Sequence, residues 1–167
     1  MLLYNATMKT VYIETTVVGN IAGRLHPNPA VAARQRVTRD WWETAPARYE
    51  LVLSQLTLDE CANGDPEAAA ERLDVIRHLP LLDDSDAAER LAGLLLERRA
   101  VPESQPRDAL HIAIASVHGV QFIATWNFKH ILNPHVQARI ADTCREAGYY
   151  PPVICTPEQL MVTENDP

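Results

Sequence analysis

The stretch from Arg107 to Ile131, RDALHIAIASVHGVQFIATWNFKHI, constrains the fold of this chain more than any other. Ala109, Leu110, Ile112, Ala113, Ile114, Ala115 and Val117 leave almost no polar face, so the segment reads as a helix packed on both sides or against the middle of a sheet. Gly119 is its natural stop. Val120 to Thr125 is short, apolar and rich in β-formers, the mark of an interior strand in a parallel sheet. Doubly wound sheets bind ligands outside the carboxyl ends of their strands. Thr125-Trp126-Asn127 falls at that end, and Asp108, in the first helical turn, is the carboxylate expected beside it.

The rest of the chain alternates in the same way. Thr10 to Ile13 reads as the first strand, with Glu14-Thr15-Thr16 at its end and a turn-rich segment after it. Asn28-Pro29 signals an N-cap followed by proline at the first helical position, opening a helix to about Trp42. Tyr49 to Leu53 is a second strand, and Gln55 to Ala62 a short helix stopped by Asn63-Gly64. Asp65-Pro66 repeats the cap signature for a helix to about His78. Leu79 to Leu82 is a short strand, and Ser85 caps a helix to about Arg99. Asn133-Pro134 begins a helix to about Ala147, stopped by Gly148, and Val153 to Cys155 is the last strand. Strands alternating with helices predict an α/β three-layer fold with a central parallel sheet.

At 167 residues and 47% hydrophobic content, one domain is expected. The formal charge of −7 excludes a broadly basic surface that would coat nucleic acid, while leaving room for a local cationic site. Cys61, Cys144 and Cys155 are odd in number and lack CxxC spacing, which supports neither a disulfide framework nor a zinc knuckle and fits a reducing cytoplasm. No apolar run approaches membrane-spanning length, and Met1 to Thr7 lacks the basic start and long apolar region of a signal peptide.

Three acids share a placement: Glu14 just after the first strand, Glu60 on the helix after the second, and Asp108 at the start of the long apolar helix. In a parallel sheet they converge at one edge. Hard divalent cations such as Mg²⁺ or Mn²⁺ take oxygen ligands and keep several waters, so an open carboxylate cluster suits them. Such a site favours phosphodiester hydrolysis. Taken singly, each acid also reads as structural: Glu14 or Glu60 as a solvated residue, Asp108 as complement to a helix dipole. His111, one turn after Asp108, reads as a hydrogen-bonded core histidine, with a place at the site as the alternative. Lys129 and His130 read equally as phosphate contacts or solvated loop charges. Arg34, Arg36 and Arg39 form the one dense basic cluster, a solvated helix face or a surface for phosphate or an acidic partner. Trp41, Trp42 and Tyr49 read as core or subunit interface, and Trp126 as the better base-stacking candidate.

Four segments carry a resemblance that spans about Lys9 to Leu160: VYIETT at Val11 to Thr16, LTLDE at Leu56 to Glu60, DALHIAIA at Asp108 to Ala115, and TWNFKHI at Thr125 to Ile131. In their order and spacing the chain resembles PIN-domain proteins, among them the toxin ribonucleases of VapBC toxin–antitoxin pairs. The resemblance implies a single PIN-like domain with its core at about residues 9–160, and Mg²⁺- or Mn²⁺-dependent endonucleolytic cleavage of RNA by a carboxylate quartet. It places that quartet on Glu14, Glu60, Asp108 and Asn127, with Glu14 where the family more often has Asp and Asn127 where Asp is usual. Glu14, Glu60 and Asp108 are then the metal ligands. Thr16 and Thr125 fall at flanking hydroxyl positions, with Lys129 and His130 on the substrate side. A cognate antitoxin, a homodimer and RNA as substrate are the partners it implies, the helices at Pro66 to His78 and Ser85 to Arg99 being the expected dimer contact. Asn127 lowers the site's charge from about −4 to about −3, so one firmly held ion is expected, with a second arriving with the substrate phosphate. The same departure supports the rival reading, a catalytically degenerate PIN-like module that binds RNA or protein.

Overall fold

The structure is a computed structural model and describes residues 8–162. Met1 to Thr7, read above as lacking the marks of a signal peptide, lie outside the described residues. Five parallel strands form one sheet in the order β3-β2-β1-β4-β5, and helices cover both faces. The elements in chain order are β1 (Lys9–Ile13), α1 (Thr15–Ile21), α2 (Pro29–Thr44), β2 (Tyr49–Ser54), α3 (Gln55–Cys61), α4 (Pro66–Ile76), β3 (Leu81–Leu82), α5 (Asp86–Glu97), α6 (Pro106–Val117), β4 (Phe122–Ala124), α7 (Pro134–Glu146) and β5 (Val153–Cys155). This is the three-layer α/β architecture expected from the sequence. Among the described residues no helix is long and apolar enough to cross a membrane.

Strand side chains alternate between two cores, as the period of an extended chain requires. Tyr12, Val52, Ile123 and Ile154 face one way, into a core shared with α5, α6 and α7. Val11, Ile13, Leu51, Leu53 and Cys155 face the other way, with Val17, Val18, Trp41, Cys61 and Ile76 from the opposite helical layer. Burial on both faces explains why these strands read as continuous apolar runs.

The capping signatures act where they were read. Asn28 Oδ1 accepts from Ala30 N at 2.9 Å, Asp65 Oδ1 from Ala68 N at 3.0 Å, Ser85 Oγ from Ala88 N at 3.2 Å, and Asn133 Oδ1 from His135 N at 3.0 Å. Gly119 ends α6 with φ of 67°, a conformation that a side chain would strain.

Two expectations need correction. The segment after Glu14 is a helix, α1, and not turn-rich. Its β-branched and glycine content hides it from a propensity reading; it exists because Glu14 caps it and Val17 and Val18 are buried. Strand β4 is also shorter than Val120 to Thr125, because Val120 N bonds back to Ala115 O at 2.9 Å as part of the turn that ends α6.

The topology selects a place for a ligand. From β1 the chain moves through β2 to β3 on one side, then returns to β4 on the other side of β1. The order therefore reverses between β1 and β4, the kind of point at which open α/β sheets bind ligands outside the carboxyl ends of their strands. Glu14 follows β1 directly, and Thr125-Trp126-Asn127 follow β4.

Candidate active site

Glu14 stands at the switch point and is only 4% exposed. Its Oε2 accepts from Thr16 N at 3.1 Å, Thr16 Oγ1 at 2.5 Å and Thr125 Oγ1 at 2.7 Å. The two hydroxyls in turn accept from the chain leaving β4: Trp126 N reaches Thr16 Oγ1 at 2.8 Å, and Asn127 N reaches Thr125 Oγ1 at 3.0 Å. Each threonine has one proton and gives it to Glu14. Thr16 and Thr125 thus position the carboxylate and stitch the exit of β4 to the end of β1; Thr125 is fully buried.

Glu60 is carried by α3. Its Oε1 accepts from Thr15 Oγ1 at 2.8 Å and lies 2.5 Å from His111 Nε2, while Arg107 Nη1 stands 3.8 Å from Oε2. His111 is 1% exposed, and its other nitrogen, Nδ1, lies 2.6 Å from the Tyr12 hydroxyl. Tyr12 also meets Ser54 Oγ at 2.6 Å and Thr57 Oγ1 at 3.3 Å. One proton arrangement satisfies the whole chain: Ser54 donates to Tyr12, Tyr12 to His111 Nδ1, and His111 Nε2–H to ionised Glu60. Burial pushes the Glu60 carboxyl up, but the hydrogen bonds from His111 and Thr15, with the Arg107 charge, outweigh it and hold Glu60 below its usual value of 4.5. Burial drives the Tyr12 phenol well above its ordinary range despite the Ser54 and Thr57 bonds, so Tyr12 keeps its proton.

Asp108 sits in the first turn of α6. Its Oδ2 accepts from Asn127 Nδ2 at 3.1 Å and lies 3.1 Å from His130 Nδ1. Asn127 Oδ1 accepts from His130 N at 3.1 Å. A carboxylate on one side and an amide N–H on the other fix which way the Asn127 amide points.

The structure therefore brings Glu14, Glu60, Asp108 and Asn127 to one end of the sheet. Thr125 links Glu14 to Asn127 and so to Asp108, while Thr15, next to Glu14 in the chain, bonds Glu60. Each carboxylate has one oxygen anchored by protein donors. Among the described residues, Glu14 Oε1 and Asp108 Oδ1 take no hydrogen bond, and Glu60 Oε2 has only the distant Arg107.

The donor set is oxygen-rich and anionic, as a hard divalent cation requires. Among the described residues, no three His, Cys, Asp or Glu side chains are gathered closely enough to enclose a metal ion. An ion here would rest on one or two carboxylates and keep most of its water, which is the habit of Mg²⁺.

Around the site, two sequence readings change. Trp126 is not an open stacking face: it is 8% exposed, and its Nε1 donates to Thr38 Oγ1 at 2.9 Å. The open ring is Phe128, 53% exposed, with its centroid 5.9 Å from that of Trp126. The three arginines do not act as one cluster. Arg39 binds the carbonyls of Ile21 and Gly23 at the end of α1, at 3.0 and 2.8 Å; Arg36 is exposed; Arg34 lies over the rings of Trp126 and Phe128. Trp41 belongs to the core. Lys129 is exposed beside Phe128, and His130 touches Asp108.

Tyr12, Thr15, Phe128 and Arg107 are the site residues that sequence reasoning missed. Tyr12 left one signal, a hydroxyl between the apolar Val11 and Ile13 but on the opposite face of the strand. No family model, no curated protein and no solved structure matches the chain.

Proposed function

We propose that the chain is a metal-dependent endoribonuclease, PIN-like, that hydrolyses RNA phosphodiesters as the toxin of a type II toxin–antitoxin pair in the cytoplasm. The observation that carries the reading is the placement of Glu14, Glu60 and Asp108 at the carboxyl end of the sheet, each with one oxygen anchored by a protein donor. Anchoring by buried donors fixes the rotamers in advance, which an electrostatic site needs if it is not to reorganise during reaction.

Glu14, Glu60 and Asp108 are the carboxylates offered to Mg²⁺ or Mn²⁺, one or two of them holding the ion directly and the rest reaching it through its water, with the Asn127 amide as a neutral fourth group. A divalent cation supplies Lewis acidity toward the phosphate and lowers the pKa of a coordinated water. The protein's own part is orientation. Thr16 and Thr125 aim Glu14; Thr15 and the Tyr12–His111 pair aim Glu60; Asn127 and His130 aim Asp108. Water is the nucleophile, attacking in line and leaving a 5′-phosphate, so no side chain need form a covalent intermediate. Lys129 supplies a cation for the substrate backbone. A cognate antitoxin and a homodimer complete this reading, and both rest on the family resemblance.

The test is incubation of a mixed RNA pool with the purified protein in Mg²⁺, in Mn²⁺ and in chelator, beside Asp108→Asn. Discrete cleavage that needs both the metal and Asp108 is expected; intact RNA with folded, inhibitor-free protein would refute it.

A second reading has its own observation. Both ends of the Asn127 side chain are bonded within the protein, to Asp108 and to His130 N. A site closed in this way suits a module that binds RNA or protein without turnover. RNA binding with no cleavage under any metal condition would establish it.

A further inference from the structure

We infer that Phe128 and Arg34 form a subsite for one unpaired nucleobase and its adjoining phosphate, which directs the site to single-stranded RNA. This rests on the reading of RNA as the substrate. The Arg34 guanidinium carbon lies 5.4 Å from the Trp126 ring centroid and 5.2 Å from that of Phe128, so one cation sits over both rings. Among the described residues no carboxylate pairs with Arg34. In a chain of net charge −7 that is a notable vacancy: the guanidinium is held by aromatic faces, and its N–H donors are left for an external anion.

Phe128 is the open half of this arrangement. What sets Phe128 apart from the other exposed apolar side chains is its place, one residue from Asn127 and under an unpaired guanidinium, the combination that stacks a base and binds its phosphate. Trp126 backs the pair from the core, pinned by Thr38. Phe128 N donates to Trp126 O at 2.9 Å, a tight turn that follows Asn127 directly in the chain. Trp126 N reaches the same Thr16 hydroxyl that holds Glu14, so the platform and the carboxylates share one backbone turn.

The chemistry of the partner follows. A flat ring next to a free guanidinium matches a base that stacks and a phosphate that accepts charge-assisted hydrogen bonds. A base in a duplex presents no free face, and the A-form major groove is too narrow for such a reader, so the base must be unpaired. The cation offsets repulsion between the substrate backbone and the nearby carboxylates.

The test measures anisotropy of a short labelled single-stranded RNA of mixed sequence, in chelator, on the full-length protein. Phe128→Ala is expected to weaken binding about tenfold, Phe128→Trp to retain it, and neither to change binding of the same sequence as a duplex. Arg34→Gln is expected to reduce the slope of log affinity against log salt by about 0.7, one phosphate contact on a single strand. In the unmodified protein, a thiouridine-bearing RNA should photocrosslink within Asn127–Lys129. Unchanged binding by Phe128→Ala, equal loss for single strand and duplex, or a crosslink elsewhere overturns the subsite and leaves the patch as a protein-docking surface. Because binding is read without turnover, the two claims separate. Cleavage with unchanged binding by Phe128→Ala overturns the subsite alone, and base-dependent binding without cleavage in metal overturns the nuclease alone.

Discussion

At position 127 the side-chain amide donates to Asp108 Oδ2 and accepts from His130 N. Replacing it with aspartate removes the donor and sets two carboxylates against each other. Asn127→Asp is therefore expected to cost roughly 1–3 kcal/mol of stability in chelator and to recover it on addition of Mg²⁺ or Mn²⁺, as read by thermal melting; equal melting with and without metal would contradict this. Tyr12→Phe leaves His111 Nδ1 buried without its donor, and should lower stability by about 1–3 kcal/mol in urea titration. Glu60, held below its usual carboxyl value in the fold, contributes stability above about pH 4.5 that is lost as the pH falls through its folded value. Glu60→Gln should accordingly flatten the acid limb of stability against pH, and an unchanged limb would remove Glu60 from the acid response. The acids at the strand ends were legible because charge at such a place is conspicuous. The Tyr12–His111–Glu60 chain was not: it joins residues 99 and 51 positions apart, and only the packing of β1 and α3 on α6 makes them neighbours.

Helix α1 shows how an element can be set by its neighbours rather than by its residues. Glu14 caps its first turn, and Arg39 from α2 binds the carbonyls of Ile21, its last residue, and of Gly23 just after it. Local pattern gave no warning of it, since Thr15-Thr16-Val17-Val18-Gly19 favours a strand or a turn. Where the chemistry is local, as in the Asn28-Pro29, Asp65-Pro66 and Asn133-Pro134 caps, the helix starts were readable from sequence alone. Because α1 also carries Thr15 and Thr16, loosening its far end should reach the site. Arg39→Ala is expected to lose about 1–3 kcal/mol and to speed amide exchange through α1. Protection unchanged along Thr15–Ile21 would show that Arg39 is only a surface charge.

On the scale of the whole molecule, two cores on opposite faces of one parallel sheet hold the switch point rigid, and the three cysteines are buried within them. Burial pushes the Cys61 thiol up to about 11 and Cys155 to about 12, and raises Cys144 as well. A disulfide reagent at neutral pH should find no reactive thiol in the folded protein and three in denaturant; reaction in the folded state would contradict the packing. In the proposed function, carboxylates at the β1/β4 switch point direct water, and not the RNA's own 2′-hydroxyl, against a phosphodiester. Analysis of the new ends in RNA cut by the wild-type protein, with Asp108→Asn alongside, tests it most directly. Ends bearing 5′-phosphate and 3′-hydroxyl that vanish in Asp108→Asn are expected, whereas 2′,3′-cyclic phosphates, or cleavage that survives the substitution, would rule out water as the nucleophile.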